Sequence, residues 1–330
     1  MKIAVTGANG HVGVNLCRTL IEHGHEVTAL VHTRDAFIRD IPVKRVKGDI
    51  LNKDSLREFL SGQEICYHLA ACISIRGDTG GMVRRINVDG TLNMVEAARD
   101  SGVTRFIHFS SIHAFNQHPT NQPLHEERDL VTDTGFAYDR SKAQGERIVK
   151  AAANDGFDAF ILSPTAIIGP ADPEPSLTGK ALLELYNKQI PVLVPGGYDW
   201  VDVRDVADAA VRSISLGRKG EKYLLSGTWA SLVDLSGMIS RVTGKQTVRT
   251  VIPLWVARSG LPFITLYSWL TGGDPLYTTE SLHIISEGNK QILNNKARRE
   301  LNFHTRELET TVRDIFEWFT QHGYIKPYKS

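Results

Sequence analysis

The chain has 330 residues, 42% apolar and 23% charged, enough for a folded main core with a smaller second domain, and it is neither disordered nor collagen-like. Basic residues number 38 and acidic ones 37, a net charge of +1, so no global field exists to hold a nucleic-acid backbone and a small, near-neutral partner is expected. The three cysteines, Cys17, Cys66 and Cys72, form no Cys-x-x-Cys pair, which argues against a disulfide framework or a zinc site and fits the cytoplasm.

The opening run Ile3-Ala4-Val5-Thr6 is too short for a signal-peptide core and reads as a strand. Gly7, Gly10 and Gly13 then punctuate the chain, and Val12, Val14, Leu16, Leu20 and Ile21 recur at helical spacing. Strand and helix go on alternating. Glu26 to Val31, Val43 to Lys47, Glu64 to Ala70 and Arg105 to Phe109 read as strands. Ser55 to Leu60 and Val83 to Arg99 read as helices, the second ended by Gly102. A helix from Gly135 to Ala153 leads into a sixth strand at Ala159 to Leu162. Such alternation implies right-handed crossovers and a parallel sheet covered on both faces, an α/β doubly wound fold.

Past Pro164 the texture changes, because residues 169–175 carry Gly169, Pro170, Pro173 and Pro175 and so depart from the sheet. A helix is expected at Leu177 to Asn187, strands at Trp200 to Val203 and Lys222 to Leu225, and helices at Leu232 to Val242 and Glu307 to Phe319. These divide the chain into a cofactor domain, 1–168 plus about 198–228, and a smaller, mostly helical substrate domain, 169–197 and 229–330. The apolar stretch Val251 to Leu270 is interrupted by Pro253, Arg258, Gly260 and Pro262, which makes it a poor bilayer span; a buried or substrate-lining helix pair is expected, with no membrane contact.

Three clusters carry chemistry. In the turn Thr6-Gly7-Ala8-Asn9-Gly10-His11-Val12-Gly13, Gly7 supplies the tight bend, Gly10 clears room for a pyrophosphate and Gly13 admits close helix packing. The following helix aims its N-terminus at the phosphates. Such a turn is also compatible with a purely structural role, and its position between strand and helix favours a dinucleotide. After the second strand, where a carboxylate usually holds the 2′-hydroxyl of NAD, the chain reads His32-Thr33-Arg34. His32 and Arg34 offer donors for a 2′-phosphate, so NADP(H) is favoured over NAD(H). Finally, Tyr138 and Lys142 lie four apart on one helix face, and Ser111 ends the fifth strand, where a hydroxyl faces the ligand crevice. A nearby ammonium is expected to draw the phenol pKa down from roughly 10.

With these in place the chain resembles the extended short-chain dehydrogenase/reductases, also called NAD-dependent epimerase/dehydratases. The resemblance rests on the glycine turn, Gly48-Asp49-Ile50, His68-Leu69-Ala70-Ala71, Asn87-Val88-Asp89-Gly90-Thr91, Ser110-Ser111, Tyr138 with Lys142, Ser163 to Pro170, and Trp200 to Ala207. It covers essentially the whole chain. It implies that Gly7, Asn9, Gly10, His11, Val12 and Gly13 cradle the cofactor, that Asp49 and Ile50 flank the adenine, and that Leu69, Ala70 and Ala71 run beside the phosphate and ribose. Pro164 and Ile167 are expected near the nicotinamide, and Asn87 as a structural partner of the sheet. By the same resemblance Tyr138 is the general acid or base, Lys142 holds the nicotinamide ribose, and Ser111 orients the substrate.

The segments at 163–170 and 222–227 look most like the dihydroflavonol reductase-like branch. The family's dehydratases place Asp and Glu after the catalytic hydroxyl, whereas here those sites hold Ile112 and His113. His113 either faces the substrate or is hydrogen-bonded at the crevice rim. The expectation is an NADP(H)-dependent reductase of a small carbonyl compound or its alcohol, with no metal and a homodimeric assembly. The alternatives are an NAD-dependent sugar-nucleotide epimerase and a non-catalytic cofactor sensor. Substrate determinants are expected in 112–134, 170–200 and 251–285, whose aromatics, Phe115, Tyr186, Tyr198, Trp200, Trp255, Phe263, Tyr267 and Trp269, line a pocket or build a core.

Overall fold

A computed structural model describes residues 1–75, 77–261 and 278–328. Among the described residues ten strands run in chain order: β1 Lys2–Thr6, β2 Glu26–Val31, β3 Lys44–Lys47, β4 Ile65–His68, β5 Arg105–Phe109, β6 Ala159–Pro164, β7 Ala166–Ile168, β8 Gly197–Asp202, β9 Lys222–Leu225 and β10 Thr228–Ser231. Seven of them make a parallel sheet in the order β3-β2-β1-β4-β5-β6-β9. The order reverses between β1 and β4, which opens a crevice outside their carboxyl ends.

The period-two alternation of the strands decides which core each side chain enters. Ile3, Val5, Tyr67, Ile107, Phe109 and Leu162 point to one face, where helices His11–Glu22 and Val203–Leu216 cover them with Val14, Cys17, Leu20, Val206 and Ala210. Ala4, Cys66, Phe106 and Ile161 point to the other, against Leu56 and Phe59 of helix Lys53–Leu60 and Val149 of helix Ala137–Asn154. A continuous helical run from Met82 to Asp100 lies on the same side and passes through one π-turn at Arg85–Asp89.

The expected return of residues 198–228 to the first domain is divided. Helix Val203–Leu216 and β9 rejoin it, whereas β8 stays outside the main sheet and sends only Val201 into the first core. β8 pairs with β7 and, antiparallel, with β10 in a separate three-stranded sheet. Trp200 from β8 packs in a second core with Leu182, Leu185, Leu235, Ile239, Phe316 and Phe319. These come from helices Leu177–Tyr186, Leu232–Thr243 and Leu308–Gln321. The middle one starts in a capping box, Ser231 with Asp234, and stops at Gly244 in the left-handed region. Residues 254–261 of the expected helix pair are helical; Phe263, Tyr267 and Trp269 lie outside the described residues.

Candidate active site

The glycine turn closes on its neighbours by backbone contact. Gly7 has φ +69°, and a Cβ there would meet the Ala70 nitrogen at 2.8 Å. A Cβ on Gly13 would meet the Gly7 carbonyl at 2.1 Å, so only glycine lets helix His11–Glu22 start this close to β1. Gly10 is the N-cap and offers no side-chain acceptor, which leaves the first-turn N–H groups directed at the crevice. The Thr6 hydroxyl oxygen accepts from the Leu69 and Ala70 N–H groups, 3.2 Å each, and is hydrogen-bonded to His68 Nδ1 at 2.9 Å. It ties the end of β1 to the loop that leaves β4. This cradle fits a dinucleotide pyrophosphate.

Side chains in the turn do other work. Asn9 Oδ1 accepts from the Phe37 N–H at 2.9 Å, and His11 Nε2 is 3.1 Å from the Pro170 carbonyl. Both line the cleft and also brace loops.

Tyr138 and Lys142 project from helix Ala137–Asn154, and Ser111 caps the short turn Ile112–Ala114 after β5. All three are buried. They line one cleft of about 1810 Å³ together with the glycine turn, His32, Arg34, Asp49, Ile50, Leu69, Ala70, Ala71, Pro164 and Ile167. The expected cofactor and catalytic residues thus converge. Asn87, within the π-turn, donates to the Cys72 carbonyl and to Ser141 Oγ, both at 2.9 Å, while its Oδ1 accepts from the Cys72 N–H at 2.7 Å. Ser141 in turn donates to the Tyr138 carbonyl at 2.7 Å. Asn87 therefore ties the loop after β4 to the helix that carries Tyr138 and Lys142.

The sequence profile of the NAD dependent epimerase/dehydratase family matches residues 3–226. The chain belongs to that family. It is 31% identical over 329 residues to sterol demethylase protein B of Methylococcus capsulatus, covering 98% of this chain and 100% of that one. It is 30% identical over 335 residues to a dihydroflavonol 4-reductase-like protein of Synechocystis sp., covering 98% and 95%. The crystal structure of gox2253 superposes with a TM-score of 0.85 at 30% identity, covering 98% of this chain and 99% of that one. The protein is thus an NAD(P)-dependent oxidoreductase of the extended short-chain dehydrogenase/reductase family.

Electrostatics in this epimerase/dehydratase-family site depart from the sequence expectation at the tyrosine. Burial raises the Tyr138 pKa, and Asp139 and Cys72 push it further; the hydrogen bond from Ser111 only partly offsets them. Lys142 does not supply the expected lowering. Its Nζ donates to the Phe109 carbonyl at 2.8 Å, and burial brings its own pKa down to about 8 against an opposing pull from Glu146. Desolvation is the largest influence on each, because both groups lie within the protein.

That buried ammonium makes a stability prediction. A lysine whose folded pKa is about 8 rather than 10.5 binds fewer protons folded than unfolded between those values, so its cost is full below pH 8 and fades as pH rises. Lys142→Met is expected to raise the melting temperature of the cofactor-free protein at pH 7, with a smaller gain at pH 10, while weakening cofactor binding. Calorimetry at the two pH values and a cofactor titration check both halves.

Sequence reasoning left His113 open and missed Glu280. His113 Nδ1 sits 3.0 Å from Asp139 Oδ1, and its ring meets Tyr138 edge-on at 5.6 Å between centroids. Glu280 is buried in the cleft wall from helix Thr279–Glu287, and burial and the Asp139 carboxylate raise its pKa. No local pattern marks it, since only the packing of helix Thr279–Glu287 against the cleft brings it here. Of the aromatics, Phe115, Tyr186 and Trp200 are buried in cores, Phe115 and Trp200 also line the cleft with Tyr198, and Trp255 is 71% exposed.

Proposed function

We propose that this chain is an NADP(H)-dependent reductase of an aldehyde or ketone, like the dihydroflavonol reductase-like branch of its family. The observation that carries the reading is the convergence of Ser111, Tyr138 and Lys142 in the cleft that also holds the glycine turn. Ser111 hydrogen-bonds the substrate oxygen and holds it toward Tyr138. A nicotinamide cofactor held at the glycine turn and Lys142 would supply hydride to the carbonyl carbon. The Tyr138 phenol gives its proton to the developing alkoxide, and Lys142 orients the cofactor ribose. A raised phenol pKa suits this direction, because the acid is then fully protonated at neutral pH. Alcohol oxidation needs phenolate and is expected to quicken as pH rises.

Ile73, Met82 and Leu177 line the cleft yet stay exposed, which supports an apolar substrate over a nucleotide sugar. The test is a screen of NADPH oxidation against aldehydes, ketones and nucleotide sugars. Turnover of an apolar carbonyl compound supports the proposal. Interconversion of a nucleotide sugar by protein that carries NAD through gel filtration overturns it in favour of an epimerase.

The proposal includes a cytoplasmic homodimer formed through the helices at Met82–Asp100 and Ala137–Asn154, the first of which exposes Leu92. Light scattering at micromolar concentration is expected to return twice the chain mass; a monomer mass removes that interface.

A further inference from the structure

Both side chains at the end of β2 that offer donors to a phosphate, His32 and Arg34, already face a carboxylate. His32 Nε2 lies 3.6 Å from Asp49 Oδ2, and Arg34 Nη1 donates to both oxygens of Glu174, at 3.1 and 3.2 Å. Glu174 comes from the proline-rich loop 140 residues further along the chain, and it lines the same cleft as Arg34.

The backbone around Glu174 is anchored. Pro170 and Ala171 carbonyls accept from Asn15 Nδ2 at 3.3 Å each, on the helix that follows the glycine turn. Buried Asp172 accepts from the N–H and hydroxyl of Ser176 at 2.8 and 2.7 Å, and the Tyr324 hydroxyl donates to the Pro173 carbonyl. The loop is therefore fixed on both sides of a side chain that is itself 56% exposed. A carboxylate so tethered can release Arg34 but cannot travel far from it.

We propose that Glu174 is a cofactor-specificity residue, an internal anion that occupies Arg34 until a 2′-phosphate displaces it, weakening NADPH binding and leaving NADH binding unchanged. This rests on the reading of Arg34 as the phosphate-binding group. A phosphate carrying nearly two charges outcompetes one carboxylate for a guanidinium, and exposed ion pairs are weak enough to exchange. After exchange the tethered carboxylate stays near the phosphate, where like charges repel.

Fluorescence titration of NADPH and NADH against the full chain tests this, using wild type, Glu174→Gln, Arg34→Ala and the double variant. Glu174→Gln is expected to tighten NADPH about two- to fivefold, the scale of one exposed ion pair, with NADH unchanged. Most of that gain is expected to vanish in the Arg34→Ala background. Unchanged NADPH affinity in Glu174→Gln overturns the proposal, and so does an equal shift for both cofactors, which marks a loop brace. A wild type that binds both cofactors equally and ignores Arg34→Ala overturns the reading of Arg34 itself. Loss of the Glu174 effect alone, with Arg34→Ala still weakening NADPH, leaves that reading standing.

Discussion

Tyr138→Phe is expected to turn over about 100- to 10,000-fold more slowly than wild type, the usual range for loss of a positioned general acid, with NADPH affinity nearly unchanged. The substitution removes one oxygen. The ring keeps its buried place on helix Ala137–Asn154 and its edge contact with His113, so neither the helix nor the glycine turn has reason to move. Ser111 keeps its bond from the His113 N–H, 3.2 Å, and stays oriented toward the crevice. Carbonyl reduction still has its hydride source but no proton donor at the oxygen. Steady-state rates on the substrate found by the screen, paired with a cofactor titration, check the result. A variant that keeps more than half the wild-type rate removes Tyr138 from the acid role.

The second large effect is cofactor choice. A charge-assisted contact to a 2′-phosphate is worth about 1.5 to 3 kcal/mol, so NADPH is expected to bind roughly 10- to 150-fold more tightly than NADH. Arg34 is 68% exposed and lines the cleft, as a phosphate ligand must, and its pairing with Glu174 places the preference toward the lower end of that range. Arg34→Ala is expected to erase most of the difference by weakening NADPH alone. The carboxylate nearest His32 is Asp49, at the end of β3 rather than β2, and it also accepts from the Leu51 N–H at 2.9 Å. If Asp49 turns instead to a ribose hydroxyl, NADH gains, and equal affinity for the two cofactors in a titration would report it.

Much of the molecule was legible from local pattern. The strand at Glu26–Val31 and the one at Arg105–Phe109 end where their apolar runs end, and the helix that carries Tyr138 and Lys142 differs from its expected span by two residues at its start and one at its end. Gly7 and Gly13 declare themselves because only a residue without Cβ permits the contacts they make. Periodicity and steric permission act between near neighbours in sequence, so the chain by itself determined the doubly wound sheet and the glycine turn, and it put Ser111 at a strand end and Tyr138 with Lys142 on one helix face.

Tertiary structure alone decided the rest. β8 reads as a strand, yet it pairs with β7 and β10 while β6 pairs with β9, because the choice of strand partner is made between distant parts of the chain and is not written in a local pattern. Glu174 reaches Arg34, and Glu280 reaches the Asp139 side of the cleft, across separations that no spacing rule spans. The tyrosine pKa turned on the same difference. A lysine four residues away is visible in sequence and argues for a lowered value, but the removal of water from around the phenol is a property of the packed volume, and here it is the larger force.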